Sequence, residues 1–388
     1  VDTLPTRRGF ERFFGVIWGV VNHFDPFSLC EGETPVASTP EDFYLTHAIG
    51  DHAVDWVREF ASDEAPFFLY VAYTAPHWPI HAPPASIAKY QGVYEAGWDR
   101  LRETRFQRQC EIGLFDQGIR LGPVDHKGQA WRRLTDDRKK FQSAKMAVHA
   151  AMVDEVDQSV GKIVDALAET GQLDNTLILV MSDNGASPEI PGGPGYDRYG
   201  ATREGAPALR DADLQQPQNW EKIGSEESFA GIGAAWASSV NTPLRYWKME
   251  SYDGGCRTPL VVHWPHGLQG DAGRVATLPS HVIDLAPTFY SVARVDSQND
   301  ALDGVDLSPI LDGRDLTLDR RLYFAHGDGR GVRDGKWKAS KRAKHGWELF
   351  DIEADPGETT DISGHHPDVL NRLVGELHRW RDAAHGKR

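Results

Sequence analysis

The run Thr176-Leu177-Ile178-Leu179-Val180-Met181-Ser182-Asp183-Asn184-Gly185 decides the fold class. Its apolar part is unbroken rather than alternating, the pattern of a strand buried on both faces in a helix-covered parallel sheet. It ends abruptly in Ser-Asp-Asn-Gly, whose residues favour turns. Upstream, Met152, Val156, Val160, Ile163 and Leu167 recur at helical spacing and stop near Gly171, which predicts a helix. Further out, Phe67-Phe68-Leu69-Tyr70-Val71-Ala72-Tyr73 repeats the buried-strand pattern. Before it, Thr39-Pro40-Glu41-Asp42 reads as a helix start, with Ile49, Ala53, Trp56, Val57 and Phe60 on one face. Residues 259–264 predict a third buried strand and residues 279–293 another helix. Alternating helices and buried strands imply a doubly wound α/β sheet, with ligands at the carboxyl ends of its strands.

Beyond about residue 313 the texture changes. Residues 323–326, 331–340 and 347–352 predict short strands between Gly-rich and charged turns. Residues 367–384 predict a closing helix with Val369, Leu370, Leu373, Leu377 and Trp380 on one face. The expected organisation is an α/β domain over 1–313 and a C-terminal subdomain over 314–388. Residues 186–240 are rich in Gly, Pro, Asn and Gln without periodicity. A loop of that length inside a compact domain usually walls a functional site.

The chain has 388 residues, 40% hydrophobic and 26% charged, which excludes a disordered or fibrous class. Its 42 Lys and Arg against 57 Asp and Glu give a net charge of −15. So acidic a surface repels a phosphate backbone, and no nucleic-acid partner is expected. A small anionic substrate is still allowed, because local cations or a metal invert the field inside one cleft. No run approaches the roughly 18 apolar residues of a spanning helix, so no membrane partner is expected. Cys30, Cys110 and Cys256, without Cys-x-x-Cys spacing, make no disulfide framework.

Asp183 and Asn184 follow the 176–181 strand and offer two hard oxygens, a pair that suits Ca²⁺ or Mg²⁺ better than Zn²⁺. The same tetrapeptide also makes a plain turn, which the residues alone favour. Thr74-Ala75-Pro76-His77-Trp78-Pro79 stands in the equivalent place after the 67–73 strand. Two prolines stiffen the backbone around His77, which suits a hydrogen-bond donor to an anionic oxygen or a general acid. A lone histidine is more often a scaffold residue, and His81 reads as ligand, partner or bystander. Asn241-Thr242-Pro243-Leu244-Arg245-Tyr246-Trp247-Lys248 precedes Asp253-Gly254-Gly255 and the third strand. It brings Arg245 and Lys248 near the same sheet edge, Lys248 as a compact charge for a sulfate or phosphate oxygen. Solvated basic residues produce the same pattern.

Together these segments resemble the arylsulfatases of the alkaline phosphatase superfamily. The resemblance runs through Leu4-Pro5-Thr6-Arg7-Arg8-Gly9-Phe10-Glu11-Arg12-Phe13-Phe14-Gly15, Ala75-Pro76-His77-Trp78-Pro79, Asp174-Asn175-Thr176-Leu177-Ile178 and Ser182-Asp183-Asn184-Gly185. It continues through residues 236–248, Gly254-Gly255-Cys256-Arg257-Thr258-Pro259, residues 281–288, Glu348-Leu349-Phe350-Asp351 and Asp355-Pro356-Gly357-Glu358, so it spans essentially the whole chain. Residues 236–248 look most like bacterial members of broad aryl and alkyl substrate range. The implied fold is α/β: an alkaline-phosphatase-like sandwich with a mostly parallel central sheet plus a small C-terminal antiparallel sheet and helix. The implied activity is hydrolysis of small-molecule sulfate esters, extending to phosphate esters. Asp183 and Asn184 would hold a divalent metal, Ca²⁺ first and Mg²⁺ or Mn²⁺ as alternatives. His77 would contact the sulfate or leaving-group oxygen, Lys248 would neutralise developing charge, and Arg245 would assist in substrate binding.

Members of that family also carry two adjacent Asp ligands, a Cys-x-Pro-Ser-Arg or Ser-x-Pro-Ser-Arg start whose first residue becomes formylglycine, and a Gly-Lys-x-His segment. These precede the Gly-Phe stretch; none occurs here, so no formylglycine is expected and the natural start is expected upstream of Val1. Two expectations result. One is a weakened hydrolase in which metal-bound water replaces the nucleophile and activated esters are preferred. The other is a noncatalytic remnant or one half of a split sulfatase. Its exposed strand edges would then drive homo-oligomerisation, by exchange of the arm 1–22, or binding of a partner chain.

Overall fold

The computed structural model describes residues 3–122, 130–192, 207–270, 272–296, 302–314 and 316–386. The chain forms two compact units, one from residues 1–101, 125–173 and 187–239, the other from residues 102–124, 174–186 and 240–388.

In the first unit, β1 (Phe14–Val16), β2 (Leu29–Glu31) and β3 (Thr34–Pro35) form an antiparallel sheet in sequence order. α1 (Leu45–Phe60) buries Leu45, Ile49, Ala53, Val54 and Val57 along one stripe. It starts later than Thr39-Pro40 suggested. Thr39 Oγ1 lies 3.2 Å from Asp25 Oδ1 and 3.4 Å from the Phe24 carbonyl, and Tyr44 takes the N-cap position without a side-chain bond. α2 (Asp136–Glu169) is capped by Thr135, whose Oγ1 accepts from the Arg138 N–H at 3.4 Å, and the chain turns away at Gly171 with φ 71°. The predicted 152–167 helix is thus the second part of a 34-residue one. Its first part was masked in the sequence because its buried face mixes Phe141, Met146 and Val148 with Ser143, Lys145 and His149.

Residues 67–73, expected as a strand buried on both faces, are extended but pair with no strand among the described residues. Phe68 and Tyr70 are 62% and 72% exposed, while Val71 and Tyr73 pack on Val21, Leu29, Leu45 and Ile49. The segment buries one face only. An unbroken apolar run cannot distinguish that case from two-faced burial, since either face tolerates apolar side chains.

In the second unit, β4 (Ile178–Met181) runs into the turn that carries Asp183 and Asn184. The short helix α3 (Asp253–Cys256) leads into β5 (Leu260–His263), which pairs with β4 so that Ile178 faces His263 and Met181 faces Leu260. This pairing is antiparallel, and Val261 is 61% exposed. The parallel ladder among the described residues, Leu209–Arg210 with Ser228–Phe229, is two residues long. The mostly parallel central sheet is therefore not what the described residues form. Helix–strand alternation was read as a series of crossovers; instead the chain passes through residues 187–239 of the first unit before β5, and β5 enters in the opposite sense. α4 (Leu285–Val292) is shorter than the 279–293 reading.

The C-terminal residues match their pattern closely. β6 (Arg321–His326), β7 (Gly329–Asp334), β8 (Trp337–Lys341) and β9 (Glu348–Asp351) form an antiparallel sheet in the order β9-β8-β7-β6. The stretch read as one strand over 331–340 is a hairpin, turned at Gly335 with φ 55°. α5 (Pro367–Gly386) lays Leu373 and Leu377 on Val332, Ala339 and Leu349, and Trp380 stacks on Tyr323 at 4.9 Å. The loop expected over 186–240 contains a helix at Ala234–Val240 and a 3₁₀ turn at Pro217–Lys222; its residues 193–206 lie outside the described residues.

Candidate functional site

The turn after β4 is stitched to two later stretches of its own unit. The Thr258 hydroxyl donates to the Ser182 carbonyl at 2.7 Å, and the Gly185 N–H to the Gly255 carbonyl at 3.1 Å. The Lys248 N–H donates to the Ala186 carbonyl at 3.0 Å. Asn241 braces all three stretches. Its Oδ1 accepts from the Ala186 N–H at 3.0 Å, and its Nδ2 donates to the carbonyls of Tyr246 (3.0 Å) and Gly254 (2.9 Å). Only a side-chain amide offers both donors and an acceptor from so short a stem.

Glycines allow the backbones to approach. A Cβ on Gly185 would stand 1.8 Å from the Gly254 carbonyl oxygen, one on Gly254 2.3 Å from that of Arg245, and one on Gly255 2.2 Å from that of Glu250. Each distance is far inside contact range, so the Gly254-Gly255 pair and the glycine after Asn184 are steric requirements.

Lys248 is flanked by strained backbone. Tyr246 has φ 64° and Met249 φ 77°, a left-handed region that costs a non-glycine residue on the order of 1–3 kcal/mol. Side-chain packing holds Tyr246 there. Tyr252 meets its ring edge-on at 4.7 Å, the Arg342 guanidinium lies over it at 4.2 Å, and its hydroxyl accepts from Arg245 Nη2 at 3.1 Å. Arg245 also donates to Glu348 Oε1 at 3.3 Å and to the Glu358 carbonyl at 3.0 Å. Its guanidinium is thereby engaged beneath the loop that presents Lys248.

Below this lies a buried charge cluster. Lys338, wholly buried on β8, donates to Asp253 Oδ1, and Glu358 Oε1 lies 3.1 Å from its ammonium. The Asp253 N–H donates to Glu358 Oε2 at 2.7 Å, which fixes the start of α3. Burial pushes the Glu358 carboxyl up to about 7, with Lys338 pulling the other way. Burial also acts against an ionised Asp253, but Lys338 and Arg257 outweigh it and hold that carboxyl below its ordinary value. Burial raises the Cys256 thiol to about 12, which makes it a poor nucleophile. Asn241, Asp253, Lys338 and Glu358 were not singled out from sequence. Lys338 gave one usable signal, since a lysine between Trp337 and Ala339 on an inward face of a strand needs a buried partner.

Asp183, Asn184, Arg245 and Lys248 all belong to the second unit, whereas His77 belongs to the first. His77 Nδ1 lies 2.6 Å from the Trp78 carbonyl, which only accepts, so Nδ1 carries the hydrogen and the neutral ring has its basic nitrogen at Nε2. The neighbouring Trp78 indole donates to Glu189 Oε2 at 2.9 Å. His81 is scaffold: it is fully buried, its Nε2–H donates to the Ser228 carbonyl at 2.7 Å, and burial lowers it to about 4.

The resemblance implies a divalent metal at Asp183 and Asn184. Ca²⁺ takes about six to eight oxygen ligands. Asp183 is exposed on the turn, Asn184 is half-buried, and no three His, Cys, Asp or Glu side chains converge as metal ligands among the described residues. The described residues supply a donor pair and do not by themselves make that site.

A family model for sulfatases matches residues 2–295, and one described as N-sulphoglucosamine sulphohydrolase, C-terminal, matches residues 245–383. The chain belongs to the sulfatase family, a family of sulfuric ester hydrolases within the alkaline-phosphatase-like superfamily. It is 30% identical to an uncharacterized sulfatase of Schizosaccharomyces pombe, over 96% of this chain and 70% of that one. It is 29% identical to an arylsulfatase of Klebsiella aerogenes, over 75% of this chain but only 62% of the relative. It is similar to the crystal structure of Ps i-CgsB in complex with k-i-k-neocarrahexaose, with TM-score 0.64 and 25% identity over 98% of this chain and 68% of that one. A phosphonate monoester hydrolase from Silicibacter pomeroyi shares the fold at TM-score 0.50 and 19% identity.

Proposed function

We propose that this chain binds and hydrolyses sulfate esters through the Asp183–Lys248 junction, with activated phosphate esters as secondary substrates. The observation that carries the reading is the bond from the Lys248 N–H to the Ala186 carbonyl, braced by Asn241, which holds the Lys248 backbone beside the Asp183-Asn184 turn. In this role Lys248 neutralises charge on a sulfate oxygen, and Arg245 supports the loop through Glu348 and Glu358. His77 is a separate part of the proposal, a hydrogen-bonding or acid group for an ester oxygen, judged by His77→Ala alone. Asp183 and Asn184 are proposed as oxygen donors toward a divalent cation.

The test is a panel of aryl sulfates and aryl phosphoesters assayed with the full chain before and after EDTA. Lys248→Ala is expected to lower kcat/KM for aryl sulfate at least tenfold, as is Asp183→Ala. Turnover unaffected by Lys248→Ala defeats the proposed site, and turnover indifferent to both EDTA and Asp183→Ala defeats the metal role.

One observation favours a second reading, a noncatalytic chain that works in association with another. Val180, Met181, Leu260 and Val261 leave much of the β4–β5 ladder apolar and exposed. A second copy covering it would form a homo-oligomer.

A further inference from the structure

We propose that the C-terminal sheet and α5 carry a second anion site, in which Arg330, Lys341, Lys344 and Arg381 take a sulfate group borne on a ring. These four side chains line a hollow of about 320 Å³ together with Trp347 and a single carboxylate, Asp328. Among the described residues none of the four forms an ion pair. In a chain with a net charge of −15, four cations against one carboxylate concentrate a positive field in one concavity. Arg330 is the anchored member of the four: its Nη1 donates to the carbonyls of Gly327 (2.5 Å) and Gly329 (2.6 Å), which fixes the guanidinium at the wall of the hollow.

The shape sets the ligand class. A hollow of about 320 Å³ is at the small end of small-molecule sites, with room for an oxyanion and part of the group that bears it, and guanidinium forks match the oxyanion's paired oxygens. Arg330 and Arg381 also line an adjoining hollow of about 250 Å³, whose other walls include Trp380, Ala325 and Ala384. A ring attached to the oxyanion would lie there against the indole. The ligand is therefore a ring-borne sulfate ester. Free inorganic sulfate shares the head-group chemistry but leaves the adjoining hollow unfilled. The site shares no residue with the Asp183–Lys248 junction and stands whether or not that junction hydrolyses esters.

Isothermal titration of the full chain carrying Lys248→Ala, at low ionic strength, separates the two sites. Phenyl sulfate is expected to bind this variant and to bind it more tightly than inorganic sulfate. Adding Lys344→Ala and Arg381→Ala, two outer side chains with no hydrogen bond among the described residues, is expected to weaken phenyl sulfate at least tenfold. No binding to the Lys248→Ala chain, or undiminished binding after the double substitution, overturns the site. Inorganic sulfate binding as tightly as phenyl sulfate overturns the part assigned to the ring. Failure of the hydrolytic reading shows only as unchanged turnover in Lys248→Ala, so the two outcomes are distinguishable.

Discussion

Asn241 is the residue on which the Lys248 loop and the Asp183 turn jointly depend. Replacing it with alanine removes three hydrogen bonds and leaves inward carbonyls without donors, which should cost about 1–3 kcal/mol in urea denaturation. Asn241→Asp keeps the acceptor, loses both donors, and should not restore sulfate-ester binding. Two glycine substitutions should go in opposite directions. Gly185→Ala places a methyl 1.8 Å from the Gly254 oxygen and should destabilise by roughly 3 kcal/mol or more. Gly161→Ala, within α2 and with nothing inside 4 Å of the added atom, should stabilise by about 0.5–1 kcal/mol. Thermal unfolding of both variants checks the contrast. At this scale Asp183, Asn184 and Lys248 were proposed from sequence because they stand in recognisable local motifs. Asn241 was not, because its value lies in carbonyls that only the folded backbone brings within its reach.

Among the elements, the pairing of α3 with β8 through Asp253, Lys338 and Glu358 has a pH signature. Glu358 is raised from its ordinary 4.5 to about 7, so the folded chain holds a proton that the unfolded chain releases. Its contribution to stability therefore falls as pH rises from about 4.5 to about 7 and is flat above that. Denaturation midpoints measured across this range should decline less in Glu358→Gln than in the parent; equal slopes would contradict the assignment. At α5, Leu373→Ala and Leu377→Ala should each cost about 2–5 kcal/mol, since both are fully buried against the sheet. That helix could be read from periodicity because it buries one clean stripe, and its sheet from the Gly-rich and charged turns that separate short strands. The first half of α2 and the 67–73 segment could not, the one because polar groups share its buried face, the other because apolar side chains also occupy its exposed one.

For the whole molecule, the uncovered apolar face of β4 and β5 bears on association. Light scattering at micromolar concentration should find species larger than the monomer, and Val261→Lys should shift them toward it; a monodisperse parent monomer would remove the second functional reading. The family was legible from ordered motifs along the chain. Strand direction was not, because β4 and β5 meet only after an excursion that local hydrophobicity does not register.

The second unit is assembled from three separated stretches, 102–124, 174–186 and 240–388. During synthesis the Asp183 turn emerges with none of its partners, and it waits until Asn241, Lys248 and Gly255 have been made. Closing so wide a loop is entropically slow, and each contact gains from the others only once it has closed. The Asp183–Lys248 junction should thus mature late and in one step, and a nascent chain halted at residue 239 would display the Asp183-Asn184 turn without the loop that closes on it.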